Sequence, residues 1–271
     1  MLKKVFLSLA IVSLMLYVVI VGLFYAYQDE IIFYPQKTNQ VDESTFAKTI
    51  DFDVIEYKSK DGLALKSLLK EPKDKNKPII MFFNGNAARP VMAYDRLKPL
   101  LDKGYGAYIN IYRAYGHNPG DPSEDAFFAD GQIAYNLLKE KYPNNDIIFY
   151  GYSIGTGTAI YLASKNEHKA LILEGSFSSM DDLFAELYPI VPAKLILRHR
   201  FLSQEYLKDI KSDILMLHGS NDSIVAEKLA KKLQTANPDA KLIVYEDGDH
   251  FNLHSLGASQ DILKWLDDLK I

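Results

Sequence analysis

The segment Gly151-Tyr152-Ser153-Ile154-Gly155-Thr156-Gly157 constrains the fold of this chain more than any other. Ahead of it, Asp146-Ile147-Ile148-Phe149-Tyr150 has the near-continuous apolar character of a strand buried on both faces of a parallel sheet. Behind it, Thr158-Ala159-Ile160-Tyr161-Leu162-Ala163 reads as a helix. Gly-x-Ser-x-Gly between strand and helix is a nucleophile elbow, a sharp turn that holds a serine hydroxyl exposed above the sheet. Glycine is needed there because the turn is strained and the flanking elements approach too closely to admit a Cβ. The competing interpretation is a glycine-rich strand-to-helix turn that carries a serine by chance.

Past residue 50 the pattern alternates strand and helix, which predicts an α/β domain: a mostly parallel sheet with helices on both faces. Val54 to Ser59 and Leu63 to Lys70 flank the turn Lys60-Asp61-Gly62 and read as an antiparallel hairpin. The later strands are expected at Pro78 to Phe83, Tyr105 to Ile111, Asp146 to Tyr150, Ala170 to Glu174, Asp213 to Leu217 and Lys241 to Tyr245. A helix is expected from Ser123 to Tyr142, with Asp121 or Ser123 as its N-cap. Residues 176–207 break the alternation. They are rich in Phe, Leu, Ile and Val, are divided by Pro189 and Pro192, and read as a small apolar lid inserted between two sheet strands.

The first 27 residues follow a different logic. Val5 to Tyr27 carries no charge, and only Ser8, Ser13 and Gly22 interrupt its apolar side chains. That stretch is long enough to cross a bilayer as a helix. A cleaved secretory signal would have a shorter apolar core and a small-x-small site, whereas Phe24 stands where a small residue is needed for cleavage after Ala26. The segment therefore reads as an uncleaved anchor. Lys3 and Lys4 before it, with Asp29 and Glu30 after it, place the amino terminus in the cytoplasm and the domain on the far side. The expected organisation is an anchor over 1–27, a linker or interfacial segment over 28–50, and one domain over 51–271.

Composition narrows the function classes. A formal net charge of −4 over 271 residues argues against a nucleic-acid surface. Absence of cysteine excludes disulfides and a thiolate nucleophile. No H-E-x-x-H occurs, and the glycine-rich segment lacks the lysine of a phosphate-binding loop, so neither a metal nor a nucleotide cofactor is expected.

A serine hydroxyl attacks well only when a base takes its proton and a carboxylate fixes the base's tautomer. The strand Ile214-Leu215-Met216-Leu217 leads into His218-Gly219-Ser220-Asn221-Asp222, which sets Asp222 in a loop just beyond a strand. The strand Leu242-Ile243-Val244-Tyr245 leads into Glu246-Asp247-Gly248-Asp249-His250 and does the same for His250. Loops beyond the carboxyl ends of parallel strands converge on one rim, so Ser153, Asp222 and His250 are the expected catalytic set. Asp222 could instead cap a helix over Val225 to Leu233. His254 competes as base but begins the last helix, and His218 reads as structural. The oxyanion donors are expected to be the backbone N–H of Ile154, just after the serine, and of Asn86 in the loop Asn84-Gly85-Asn86-Ala87-Ala88, with Ala87 as second choice.

From about Gln28 onward the chain resembles membrane-anchored α/β hydrolases of the Bem46 type, relatives of serine aminopeptidase-like hydrolases. The resemblance is carried by Tyr27-Gln28-Asp29-Glu30-Ile31-Ile32-Phe33-Tyr34-Pro35, Asn84-Gly85-Asn86-Ala87, Tyr112-Arg113-Ala114-Tyr115-Gly116, Gly120-Asp121-Pro122-Ser123-Glu124, the elbow, and the loops of Asp222 and His250. It implies the α/β-hydrolase fold and the same three catalytic positions. Three positions depart from the family pattern: Asn84 replaces a histidine, while Ala88 and Ala114 replace glycines.

The expected activity is that of a serine hydrolase cleaving carboxylic esters or thioesters through an acyl-enzyme on Ser153. An apolar lid beside an anchor favours an acylated partner over a charged one. The alternatives are a serine peptidase of the same fold and a non-catalytic, membrane-tethered binding protein.

Overall fold

The computed structural model describes residues 2–35, 43–87 and 90–271. Its strands are β1 (Asp53–Lys58), β2 (Ala64–Lys70), β3 (Ile79–Phe83), β4 (Gly106–Asn110), β5 (Ile147–Tyr152), β6 (Ala170–Glu174), β7 (Asp213–Gly219) and β8 (Lys241–Tyr245). They form one sheet in the order β1-β2-β4-β3-β5-β6-β7-β8. β1 and β2 pair antiparallel, β2 joins β4 antiparallel, and β3 through β8 run parallel. Every residue of β3, β4, β5 and β6 is buried, as their apolar sequences require of strands covered on both faces.

The helices are α1 (Leu2–Ala26), α2 (Gln28–Ile32), α3 (Glu43–Ile50), α4 (Pro90–Asp102), α5 (Glu124–Lys141), α6 (Ile154–Ala163), α7 (Met180–Leu187), α8 (Ala193–Ile196), α9 (Ser203–Leu207), α10 (Glu227–Gln234) and α11 (Ala258–Asp268). One group packs α3 and α11 against α4, and another packs α5 and α9 against α6, so the sheet is covered on both faces. Ser123 caps α5 by accepting a hydrogen bond from the Ala126 N–H.

Element boundaries moved from the expected ones where a motif continues a strand. β5 extends through Gly151 and Tyr152, and β7 through His218 and Gly219, so both site loops begin later than the apolar runs end. His254 lies in a 3₁₀ turn, Leu253–Leu256, rather than at the start of α11.

α1 contains no buried residue and is long and apolar enough to cross a membrane. At about 1.5 Å per residue its 25 residues exceed the roughly 30 Å of a hydrocarbon core. Only Tyr27 separates it from α2. Of the stretch 28–50, residues 36–42 lie outside the described ones, and within the rest Gln28, Ile32, Phe33 and Ala47 are buried. Phe33 packs edge-on against Phe127 and His199.

Candidate active site

Ser153 sits between β5 and α6 at φ 54°, ψ −125°. A side chain held there costs about 1–3 kcal/mol and survives only where its surroundings overdetermine it. The Ser153 N–H donates to the Glu174 carbonyl at 2.9 Å, and the Ser153 carbonyl accepts from the Thr156 N–H at 2.9 Å. The flanking glycines are compelled by sterics. A Cβ on Gly151 would lie 2.6 Å from the Gly155 carbonyl oxygen and the Thr156 Cα, and one on Gly155 would collide with the Phe83 carbonyl oxygen.

The loops after β7 and β8 run back to back. The Ser220 N–H donates to the Tyr245 carbonyl and the Asn221 N–H to the Gly248 carbonyl, and a Cβ on Gly219 would strike the Gly248 backbone. This brings Asp222 Oδ2 within 2.6 Å of His250 Nδ1. The other oxygen, Oδ1, accepts from the Ile224 and Val225 N–H groups at 2.9 and 2.8 Å. The carboxylate therefore secures its own turn with one oxygen and orients an imidazole with the other, while the helix it was weighed as capping begins at Glu227. Burial opposes ionisation of Asp222, yet the His250 hydrogen bond and charge, aided by those two amides, outweigh it and hold the carboxyl below its ordinary value.

His250 is buried, and its carbonyl accepts from the Tyr152 hydroxyl at 3.0 Å. Its ring lies against Gly175, where a Cβ would be 3.0 Å from Cε1. Serine and histidine thus rest on the same strand end, Ser153 bonded to Glu174 and His250 lying over Gly175. Among the described residues, neither Ser153 Oγ nor His250 Nε2 makes a hydrogen bond within 3.5 Å. In free enzymes such contacts are often long and tighten when substrate binds.

Ser153, Ile154 and Asn86 border a cavity of about 150 Å³ whose remaining lining is apolar, with Ile31 and Ile32 on one side and Met180, Leu183 and Phe184 on another. Among the described residues, no charged side chain lines it. Ile154 is the first residue of α6, so its N–H has no intrahelical acceptor. The Asn86 side chain is fully engaged: Nδ2 donates to the Ile32 carbonyl at 2.8 Å, and Oδ1 accepts from the Tyr34 N–H and the Tyr115 hydroxyl at 2.7 and 2.6 Å. Ala87, the second choice, has φ 54° and turns its N–H towards Asn86 Oδ1 at 3.2 Å.

Two of the three departures are interpretable, and Ala88 lies outside the described residues. Asn84 is buried and donates to the Asn110 carbonyl at 3.0 Å, bridging the ends of β3 and β4. Ala114 has φ 66°, the left-handed region that glycine occupies without strain, so its methyl carries a cost the family's glycine avoids. Beside it, Arg113 forks onto Asp130 at 2.7 and 2.8 Å and onto Asp61 at 2.9 and 3.1 Å, fastening the β1–β2 turn to α5. That block therefore serves the scaffold.

A second carboxylate–histidine pair escaped the sequence reading. Glu174, the last residue of β6, is fully buried and receives Arg96 Nε and Nη2 at 3.0–3.1 Å. The Tyr150 hydroxyl donates to its Oε2 at 2.6 Å, and His254 Nε2 lies 3.1 Å from the same oxygen. The Arg96 guanidinium also stacks 3.8 Å over the Tyr152 ring. Burial would raise the Glu174 pKa, but Arg96 and His254 outweigh it and hold the carboxyl far below the usual range. The available signal was a charged residue closing an otherwise apolar, fully buried strand, which demands a partner.

Three other histidines are committed to structure. His218 is buried at the end of β7 with Nε2 2.8 Å from the Val225 carbonyl, and burial lowers its pKa. His199 meets Asp29, and His168 meets Ser212.

The sequence profile described as the alpha/beta hydrolase fold matches residues 78–195. The protein bem46 of Schizosaccharomyces pombe is 31% identical over 232 residues, covering 79% of this chain and 76% of that one. The uncharacterised protein Rv2307c of Mycobacterium tuberculosis is 30% identical over 173 residues, with 63% of this chain spanning 62% of that protein's length. The lysophosphatidylserine lipase ABHD12 of Danio rerio is 29% identical over 179 residues, covering 58% of this chain and 46% of the lipase. Among solved structures, the Pyrococcus furiosus esterase Pf2001 superposes with a TM-score of 0.70 at 17% identity, covering 88% of this chain and 99% of the esterase.

Proposed function

The chain belongs to the Bem46 family of α/β hydrolases, and from that premise we propose that it is a serine hydrolase of carboxylic esters or thioesters acting through an acyl-enzyme on Ser153. The observation that carries this reading is the 2.6 Å Asp222–His250 bond beside a strained serine at the mouth of an apolar cavity. With Nδ1–H given to Asp222, His250 presents the lone pair of Nε2. That nitrogen takes the Ser153 proton as Oγ attacks the acyl carbonyl, then returns it to the leaving alcohol or thiol. The oxyanion is received by the N–H groups of Ile154 and Asn86. Water, deprotonated by the same nitrogen, attacks the acyl-enzyme and releases the acid. An ester or thioester fits better than a peptide because, among the described residues, no charged group lines the cavity to recognise a terminus. The lysophosphatidylserine lipase among the relatives points the same way.

In this reading residues 1–27 anchor the chain as a single membrane span, with Lys3 and Lys4 holding the amino terminus in the cytoplasm and the 51–271 domain outside. Residues 176–207, carrying α7, α8 and α9, act as the lid.

A fluorophosphonate probe tests the nucleophile: wild type should be labelled and Ser153→Ala should not. Equal labelling of the two would leave the family's fold without its chemistry, as in a binding protein. Asp222→Asn keeps the acceptor for Ile224 and Val225 but presents the wrong tautomer to His250. Its turnover of p-nitrophenyl esters should fall about 10³–10⁴-fold with an unchanged circular dichroism spectrum. Preference for aminoacyl p-nitroanilides over esters would move the reading to a peptidase.

A further inference from the structure

We infer that the exposed apolar face of the 176–207 insert lies in the interface of the bilayer that holds α1, and that the cavity is fed one acyl chain sideways from that bilayer. This rests on the proposed acyl hydrolysis and on α1 as an anchor. α1 is apolar and contains no buried residue, so lipid is the medium that suits it. Its end is bolted to the insert. Gln28 is buried, donating to the Ile196 carbonyl at 3.1 Å and accepting from the Arg198 N–H at 2.6 Å. Asp29 pairs with Arg198 at 2.8 Å and His199 at 3.0 Å, and Phe24 of α1 meets the Tyr188 ring at 4.9 Å.

With a single residue between α1 and α2, these contacts hold the insert at the level where the membrane helix emerges. The insert then presents Leu195 at 85%, Ile190 at 62% and Leu187 at 44% exposure. Large apolar side chains clustered on a surface mark an interaction site, and here the patch is continuous with the membrane helix through Phe24 and Tyr188.

The cavity opens into the same patch. Ile31, from the anchor side, and Leu187, from the insert side, both line it and are both exposed. At about 150 Å³ it is smaller than the roughly 300–1,000 Å³ of pockets for drug-sized ligands, which suits one chain rather than two. A monoacyl amphiphile can therefore slide its tail between Ile31 and Leu187 towards Ser153 while its head stays at the interface. No transfer of the chain through water is needed.

The chain has no cysteine, so a single introduced thiol reports on one place. Leu195→Cys and Lys165→Cys of the full chain would each carry an environment-sensitive fluorophore in phosphatidylcholine vesicles doped with shallow nitroxide lipid. The label at 195 should be quenched several-fold more than the label at 165, and equal quenching overturns the inference whatever the enzyme hydrolyses. A second arm uses the Ile190→Asp/Leu195→Asp double variant. Its hydrolysis of a vesicle-borne monoacyl ester should fall about tenfold through KM, while hydrolysis of soluble p-nitrophenyl acetate stays unchanged. Wild-type rates on the vesicle-borne ester overturn the inference. Failure of wild type to hydrolyse either ester refutes the acyl-hydrolase reading instead, and the quenching result is unaffected by it.

Discussion

Asp222–His250 and Glu174–His254 are both buried carboxylates paired with an imidazole, and both lie against the strand end that supports the elbow. What differs is the far side of each ring. His254 spends both nitrogens, Nε2 on Glu174 and Nδ1 on the Ser259 hydroxyl at 2.7 Å, and its carboxylate is further neutralised by Arg96. His250 spends only Nδ1, and its Nε2 has no partner among the described residues. On the proposed reading, with His250 as the base, a carboxylate beside a histidine is thus not enough to make one. The second nitrogen must be left for the substrate's chemistry, and a cation must not compete for the acid.

The sharpest way to break this contrast is to remove each ring. His250→Ala should lower kcat on short p-nitrophenyl esters by about 10⁴–10⁶-fold. His254→Ala should keep kcat within about tenfold and show its effect in Tm. Equal kinetic losses would mean that the two pairs act as one unit. A smaller effect is expected from Glu174→Gln, which strands the Arg96 guanidinium in the interior. Removing one partner of a buried pair costs about 3–5 kcal/mol, so Tm should fall by roughly 10 °C in thermal unfolding.

The same variant has a pH signature. Because the Glu174 pKa is lower folded than unfolded, its contribution is present above the unfolded value of about 4.3 and is lost as pH falls towards the folded one. Wild-type stability should therefore decline below about pH 4.3, and Glu174→Gln should decline less steeply; parallel acid-denaturation curves would refute this. The smallest effect is reserved for a site outside both pairs. Ala114→Gly relieves a left-handed methyl and should raise stability by about 1 kcal/mol in urea unfolding without altering kcat.

The parts of this molecule legible from its sequence are those encoded locally. Ala170 to Glu174 and Lys241 to Tyr245 are strands with the expected boundaries, because an apolar run bounded by turn residues reports burial directly. The Asp222–His250 pair was foreseeable because each residue follows a strand, and parallel strands deliver their loops to one rim. The Glu174 cluster was not legible. Its partners Arg96 and His254 lie 78 and 80 positions away, and each alone looks like an ordinary residue on a helix or turn. Gln28 was missed for the same reason, since an amide that grips Ile196 and Arg198 leaves no periodicity to detect. The conformation of Ala114 likewise shows only in coordinates, although the expected glycine there was the clue.

The grip of Gln28 on the insert has a consequence for where such an enzyme can work. A long flexible tether would let a catalytic domain sweep a hemisphere of solution above its root. On the proposed membrane reading, one residue of slack joins the helix to the domain, so Ser153 would stay at a fixed height and its search would be confined to lateral diffusion in a plane. Encounter frequency would then depend on how densely substrate populates that sheet of lipid, and hardly at all on its bulk concentration.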